Sequence, residues 1–182
     1  MSEITSIKDL SILEDFPVSL PTVFTDVMPI GSTLSQREVR EGIMKIQKFI
    51  SEMPESLIGD SPEYLAVCPL KHTFVDDGYM REIFLPKGMI FVTKIHKKTH
   101  PYFIMKGDVS VLTEKGIIRL QGPFSGITKA GTKRVIYTHE DTVWITVHAT
   151  KETDLAKIEE EIIAKDFDEL DNVLDVQNLL GG

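Results

Sequence analysis

A series of short apolar segments between residues 64 and 150 most constrains how this chain can fold. Within them, β-branched and aromatic residues alternate with polar ones, as in strands that bury one face. Turn signals such as Asp77-Gly78, Gly122-Pro123 and Ala130-Gly131 separate them. The seven predicted strands are EYLAVCPL, YMREIFLP, MIFVTKI, YFIMKGDVSVLT, GIIRLQGP, TKRVIYT and DTVWITVHAT. Many short strands at this spacing predict an antiparallel sandwich or barrel.

Helical patterns flank the strand region on both sides. Before it, REVREGIMKIQKFI carries apolar residues at steps of three and four, after the candidate N-cap residues Ser32, Thr33 and Ser35, and Pro54 stops the run. After it, ETDLAKIEEEIIAKDF places its isoleucines and Leu155 on one face. The fold class is therefore mainly β with flanking helices.

These patterns divide the chain into three parts. Residues 1–63 form an N-terminal arm and helix, residues 64–150 the β-barrel, and residues 151–182 a C-terminal helix and acidic tail. The first 33 residues are too apolar for a free tail, so we expect an arm packed on the domain or on a partner subunit.

Charge and cysteine content exclude several classes of protein. The net charge of −8 argues against nucleic-acid binding, which requires a basic surface. The one cysteine, Cys68, cannot form an internal disulfide, which fits a reducing compartment. Neither a signal-peptide pattern nor an apolar run of membrane length is present. These features predict a cytoplasmic protein without nucleic-acid or membrane partners.

Two histidines four residues apart, His96 and His100, lie between Gly88 and Gly107 in a region with strand periodicity. Alternate residues of a strand share a face, so Lys94 and His96 lie on one face. A second strand that begins near Pro101 returns His100 close to them. The two glycines allow tight turns at either end of the segment.

This spacing resembles the first motif of the cupin superfamily, G-x5-H-x-H-x3-E-x6-G. Gly88, Lys94, His96, His100 and Gly107 reproduce every interval, with Lys94 in place of the first His and His100 in place of the Glu. The second motif, G-x5-P-x-G-x2-H-x3-N, matches less well. There Gly131 fits, whereas Arg134 replaces the third His, Lys129 the Pro and Thr138 the Asn.

The resemblance covers roughly residues 78 to 148 and implies a small antiparallel jelly-roll barrel. It also implies a homodimer, because cupin barrels commonly dimerise. KGDVSVLTEKG and AGTKRVIYTHEDTVWITVH are also similar to uncharacterised cupin-type proteins of tailed bacteriophages. That similarity implies a phage origin, hence the host cytoplasm, and a host or virion protein as a partner.

Two kinds of chemistry fit the four motif positions. A cupin typically holds a divalent metal with three His and a carboxylate. Here His96 and His100 are the candidate metal ligands, with His72, His139 or His148 as a third. Two cations beside them, Lys94 and Arg134, oppose a dication, and the same four residues suit a small anion.

Further pocket candidates come from two neighbouring strands. Tyr79 and Arg81 share a face of one, and Trp144 and His148 share a face of the other. On the second strand we expect Val143, Ile145 and Val147 to pack between the sheets. Trp144 and His148 then line the pocket or cover the outside of the barrel.

The predicted function is binding of a small anionic or polar ligand in a pocket lined by Lys94, His96, His100 and Arg134. One alternative is a cupin enzyme, either metal-dependent or with a His base, of the isomerase, epimerase or oxygenase type. The other is a structural or host-interaction protein in which the barrel is a scaffold. Convergence of the four residues in a concave pocket favours binding or catalysis, whereas an interior filled by bulky side chains favours the scaffold.

Overall fold

A computed structural model describes residues 5–7, 35–59, 61–113 and 116–171. The predicted arm, apart from residues 5–7, and the acidic tail after residue 171 lie outside the described residues. Three helices are α1 (Gln36–Ser51), α2 (Pro62–Val67) and α3 (Leu155–Ile162). The strands are β1 (Thr5–Ile7), β2 (Ser56–Ile58), β3 (Leu70–Val75), β4 (Gly78–Leu85), β5 (Ile90–Val92), β6 (Ile95–His96), β7 (His100–Lys106), β8 (Asp108–Thr113), β9 (Gly116–Gln121), β10 (Phe124–Thr128), β11 (Val135–Thr138), β12 (Thr142–Ala149) and β13 (Ile163–Ala164).

The strands form two antiparallel sheets and one small ladder. The six-stranded sheet has the order β2-β1-β5-β11-β8-β9, and the five-stranded sheet has the order β10-β7-β12-β4-β3. The ladder joins β13 to β6. This arrangement confirms the predicted fold class, mainly β with flanking helices and an antiparallel jelly-roll order of strands. Among the described residues, the strand pairs do not close the two sheets into a barrel.

The inner faces of the two sheets pack on each other. Ile83, Ile104 and Trp144 of the five-stranded sheet belong to the same buried cluster as Phe91 and Val111 of the six-stranded sheet. Each buried side chain of this size contributes roughly 1.5–3 kcal/mol relative to its exposed state. The core therefore lies between the sheets, as strand alternation requires.

Helix α1 covers the outer face of the six-stranded sheet. Ser35 is its N-cap and forms a capping box with Glu38. Its apolar stripe is buried against outward residues of β5, β8 and β11. The predicted helix is confirmed, with the N-cap at the last of the three candidate residues.

One predicted strand is wrong. The segment after Ser61 is helix α2, because the Ser61 hydroxyl accepts a hydrogen bond from the Tyr64 N–H and Pro62 occupies the first helical turn. The helix brings Tyr64 into the core, fully buried. In EYLAVCPL alone the apolar residues suit either structure, whereas the Ser-Pro pair just before it is the helix signal.

The two faces of β12 are also the reverse of the prediction. Trp144 lies in the core between the sheets. The register with β4 pairs Trp144 with Ile83, and it pairs Ile145 with Glu82. Val143, Ile145 and Val147 therefore lie on the other face of the five-stranded sheet. Both alternating sets of this strand contain bulky residues, so only pairing with β4 and β7 decides which set faces inward.

The predicted tight turns are present at both motif glycines. Gly88 and Gly107 have φ angles of 80° and 109°, in the left-handed region that favours glycine. A Cβ at Gly107 would also lie 2.2 Å from the Thr142 Oγ1. The chain therefore enters and leaves the segment 88–107 through turns that need glycine.

Candidate functional site

A cavity of about 490 Å³ opens between the inner faces of the two sheets and helix α3. Its volume lies within the range of small-molecule sites, roughly 300–1,000 Å³. All eight predicted ligand-binding residues line it, namely Tyr79, Arg81, Lys94, His96, His100, Arg134, Trp144 and His148. The interior is therefore not filled by side chains, which is the outcome that favours a binding site over a scaffold.

Three histidines meet in this cavity, and each comes from a different strand. His96 ends β6, His100 begins β7, and His148 lies next to the last residue of β12. The register pairs Thr146 with Tyr102, so the antiparallel strands place His148 and His100 opposite each other on one face. The β13–β6 ladder pairs Ile163 with His96 and fixes the third strand.

The three imidazoles form a compact cluster. One ring nitrogen of each lies within 4.8 Å of those of the other two. The ring centroids of His100 are 4.2 Å from His96 and 4.3 Å from His148, and those of His96 and His148 are 5.3 Å apart. Among the described residues no carboxylate or thiol joins the group.

Several nitrogens of this cluster are buried without a hydrogen-bond partner in the described part of the chain. They are Nδ1 of His96 and both ring nitrogens of His148. Such groups are rare in folded proteins because each loses its bonds to water. A bound metal would satisfy one nitrogen of each ring with a coordinate bond.

The backbone orients the third imidazole. His100 Nδ1 lies 3.1 Å from the carbonyl oxygen of Lys98. Because a carbonyl oxygen only accepts, Nδ1 carries the proton and donates it, and the lone pair is left on Nε2. Fixing the tautomer through the second ring nitrogen is the usual support for a metal-binding histidine.

Burial keeps all three imidazoles neutral at pH 7. It lowers the pKa of His96 well below 6.5, with further lowering by His100 and His148. Burial also lowers the pKa of His148 to about 3. It lowers the pKa of His100 as well, although the hydrogen bond to the Lys98 carbonyl partly offsets this lowering. Neutral imidazole is the form that binds metals, so the three rings can bind a metal without first releasing a proton.

The cluster has the chemistry of a divalent transition-metal site. Imidazole suits Zn, Cu, Fe and Ni. Three protein ligands with open remaining positions are typical of sites that also bind an exogenous molecule. Bonds of about 2.0–2.1 Å place two ligand nitrogens at most about 4 Å apart, so a small rotation of the rings would complete the site.

Lys94 has a carboxylate partner. Its Nζ lies 2.5 Å from Oε1 of Glu159 on α3, and the lysine is 9% exposed. The sequence predicts Lys94 to be a positive charge that opposes a dication beside the histidines. The ion pair with Glu159 offsets this charge, and no spacing predicts the pair because Glu159 is over 60 residues away in the sequence.

Arg134 and Arg81 differ from Lys94 because neither has a carboxylate partner in the described chain. The guanidinium of Arg134 lies over the Tyr102 ring, 4.9 Å from its centroid. Both arginines lower the pKa of His96 by charge repulsion, so both lie near the cluster. An anion in the cavity therefore has two cationic partners.

The remaining histidines do not join the cluster. His72 Nδ1 lies 2.7 Å from the Tyr79 hydroxyl, and His139 Nε2 lies 2.7 Å from the Ser110 hydroxyl. Of the three alternatives for a third ligand, only His148 has the required position. The sequence signal for His148 as a pocket residue is its position on the same face of the strand as Trp144.

The C-terminal helix is the part of the site that the sequence analysis did not foresee. Leu155, Ile158 and Ile162 of α3 line the cavity together with Glu159. Asp154 caps the helix N-terminus, and two further ion pairs, Lys98–Glu161 and Lys97–Glu169, fasten residues 159–169 to the loop after β6. An amphipathic pattern predicts that the stripe is buried but not against which surface.

No protein-family model and no curated protein matches the sequence. Among solved structures, the chain is similar to an acetylacetone dioxygenase from Acinetobacter johnsonii, with 16% identity and a TM-score of 0.40 over 45% of this chain and 59% of that one. It is also similar to a cupin-2 domain containing protein from Shewanella frigidimarina, with 11% identity and a TM-score of 0.38 over 44% and 78% of the two chains. A cupin superfamily protein from Desulfitobacterium hafniense gives 10% identity and a TM-score of 0.40 over 46% and 77%.

The chain thus spans about 59% of the length of that dioxygenase. These likenesses concern the fold alone. The similarity to phage proteins stays a prediction. Within the described residues, no helix is long and apolar enough to cross a membrane.

Proposed function

We propose that the protein binds a divalent transition metal through His96, His100 and His148, and that a small anionic ligand binds beside the metal in the cavity. The observation that carries this proposal is the convergence of three neutral imidazoles, two of which, His96 and His148, have buried nitrogens without a hydrogen-bond partner in the described residues. Such nitrogens cost free energy unless something binds them. A metal satisfies all three rings at once.

The charge of the cavity supports an anion as the second component. Its lining contains the cations Arg81, Lys94 and Arg134 but one carboxylate, Glu159, although the whole chain has a net charge of −8. Three neutral ligands would also leave the charge of a divalent metal uncompensated. An anion at the open positions would offset this charge.

A metal with open positions in an enclosed cavity is also the arrangement of catalytic sites, where it polarises a bound oxygen or lowers the pKa of a bound water. Oxygenase or isomerase activity is therefore to be sought in the metal-loaded protein. The role of Arg81 and Arg134 in such chemistry would be to orient the anion by charge and hydrogen bonds.

The test is metal analysis of the purified, untagged protein after loading with Zn²⁺ and removal of free ion. We expect about one Zn²⁺ per chain, as in other three-histidine sites. The His96→Ala/His100→Ala variant should retain none. The matched control is His139→Gln, which removes a histidine outside the cluster and should leave Zn²⁺ uptake unchanged.

Two results would contradict the proposal. One is a folded wild-type protein that takes up no Zn²⁺, Fe²⁺, Ni²⁺ or Cu²⁺. The other is equal metal content in the wild type and the double-alanine variant, since the metal would then be held elsewhere. Circular dichroism of each variant shows whether it is folded before its metal content is compared.

A further inference from the structure

The wall formed by the five-stranded sheet changes from polar to apolar along the strands. On β4 the inward residues run from Arg81 at the histidine end to Ile83 and Leu85. On β12, His148 is paired with Tyr79, whereas Trp144 is paired with Ile83. One end of this wall therefore offers charge and imidazole, and the other end offers hydrocarbon.

The opposite sheet repeats the same change. Phe91 and Ile136 are paired with each other and both line the cavity. Thr93, just after β5, and Arg134, just before β11, lie two residues further toward the histidine end. Both sheets are therefore apolar at the same end of the cavity.

The apolar part is deep enough for an extended hydrocarbon group. From Arg81 to Leu85 the strand advances four residues, or about 13 Å at 3.3 Å per residue. Six apolar side chains line this part, namely Leu70, Ile83, Leu85, Phe91, Ile136 and Trp144. Five of these residues also belong to the buried cluster between the sheets, so a hydrocarbon group here would extend the core.

We propose that the ligand is an amphipathic carboxylate. Its carboxylate lies at the three-histidine cluster with Arg134 and Arg81, and its hydrocarbon body lies against Trp144 and the apolar wall. The planar carboxylate matches the fork of a guanidinium, and each buried methylene adds affinity by the hydrophobic effect. This inference rests on the proposed metal site and names the class of anion that the site takes.

Trp144 provides a direct signal for such a ligand. It is the only tryptophan of the chain, and it lines the apolar part of the cavity. It stacks on Tyr102 with ring centroids 4.8 Å apart, and the Arg134 guanidinium lies over the same Tyr102 ring. A molecule that spans Arg134 and the apolar wall must therefore change the surroundings of the indole.

The experiment titrates the Zn²⁺-loaded full chain with acetate, butanoate, octanoate and 1-octanol and follows tryptophan fluorescence. Butanoate and octanoate differ by four methylenes, each worth about fourfold in affinity, so octanoate should bind on the order of 100-fold more tightly. 1-Octanol has the same chain without the charge and should bind at least tenfold more weakly than octanoate. Octyl phosphate serves as the other anionic head group and should bind more weakly than octanoate.

Variants locate the two ends of the ligand. Arg134→Gln should reduce octanoate affinity several-fold, because the metal and Arg81 still attract the carboxylate, while leaving 1-octanol affinity unchanged. Ile83→Phe narrows the apolar end without adding a second tryptophan and should reduce the advantage of octanoate over acetate. If Ile83→Phe does not fold, the ligand series on the wild type still tests the apolar end by itself.

The outcomes separate this inference from the proposed function. Equal affinity for acetate and octanoate in protein that holds Zn²⁺ overturns the apolar-body inference and leaves the metal site standing. Equal affinity for octanoate and 1-octanol, or tighter binding of octyl phosphate, overturns the carboxylate head. Protein that takes up no metal overturns the proposed function, as its metal content in the same sample shows directly.

Discussion

Two buried polar clusters lie on different strands, toward opposite ends of the two packed sheets, and they differ in whether their polar atoms have partners. At one end Asp108, 3% exposed, accepts two hydrogen bonds from Arg119, of 2.8 and 2.7 Å, and one from Gln121. At the other end His148, equally buried, has two ring nitrogens without a partner in the described chain.

The difference separates a structural cluster from a functional one. A buried polar group that is fully hydrogen-bonded costs little and helps to fix the strand ends. One that is not bonded lowers stability and persists where a ligand completes it. The Asp108 cluster is therefore expected to contribute to folding, and the three-histidine cluster to binding.

The largest expected effect is that metal stabilises the fold through one cluster and not the other. Zn²⁺ at 100 times its dissociation constant should raise the free energy of unfolding by about 2.7 kcal/mol. His148→Leu should abolish this increase, and Asp108→Asn should retain it. Urea denaturation with Zn²⁺ and with a chelator measures both.

In the chelated protein His148→Leu should be as stable as the wild type or more stable, because leucine removes an unsatisfied polar group from the interior. A loss of more than about 2 kcal/mol without metal would show that His148 has a structural partner. The functional assignment of the cluster would then be wrong.

The second expected effect is that the two clusters change the free energy of unfolding over different pH ranges. The pKa of His148 is about 3 in the folded protein and 6.5 in the unfolded chain. The unfolded chain therefore binds more protons below pH 6.5, and stability falls as the pH decreases toward 3. From pH 6.5 to 5 without metal, His148 alone should cost about 2 kcal/mol, at 1.36 kcal/mol per pH unit.

Asp108 acts at lower pH. Hydrogen bonds from Arg119 lower the pKa of Asp108 below 3.8, so its contribution is complete above that value and is lost as the pH falls through the folded-state pKa. Urea denaturation of chelated wild type at pH 7, 6 and 5, beside His148→Leu, measures the histidine range alone. Equal pH slopes for the two proteins would rule out a neutral, buried His148.

The third effect concerns the Asp108 cluster itself. Asp108→Asn keeps the size of the side chain but removes the charge that Arg119 contacts. Because Arg119 is more than half exposed, we expect a loss of about 1–2 kcal/mol in unfolding free energy. Zn²⁺ uptake should not change, and a change in metal content would show that the two clusters are not independent.

The sequence predicts only part of the three-histidine cluster and its surroundings. His96 and His100 follow from motif spacing, because the intervals between the glycines set strand and turn lengths. His148 remains one of three candidates, since which face of β12 turns inward depends on pairing with β4. The partner of Lys94 is not predictable, because a contact between β6 and α3 leaves no local pattern.

Helix α2 shows the same limit on a smaller scale. Its apolar residues suit a strand or a helix, and the capping residues Ser61 and Pro62 decide between them. Local signals therefore place elements and turns, as at Gly88 and Gly107. Contacts between distant elements decide which side chains become the site.

The smallest expected effect tests the ion pair between Lys94 and Glu159. Glu159 is about half exposed, so solvent screens the pair and Glu159→Gln should lower the unfolding free energy by only about 0.5 kcal/mol. Its effect on the site should be easier to measure, because the variant removes the carboxylate that offsets the charge of Lys94 beside the metal. We expect Zn²⁺ affinity to fall a few-fold, and salt to reduce the difference as it screens Lys94.

Glu161→Gln is the matched control, since it removes a carboxylate of the same helix that contacts Lys98, a residue outside the cavity lining. An equal fall in Zn²⁺ affinity in both variants would mean that helix docking, and not the charge of Lys94, sets the affinity. A fall in Glu159→Gln alone would show that the lysine at the first motif position is tolerated because α3 supplies its counter-charge. Competition with a chromogenic chelator at low and high salt measures all four values.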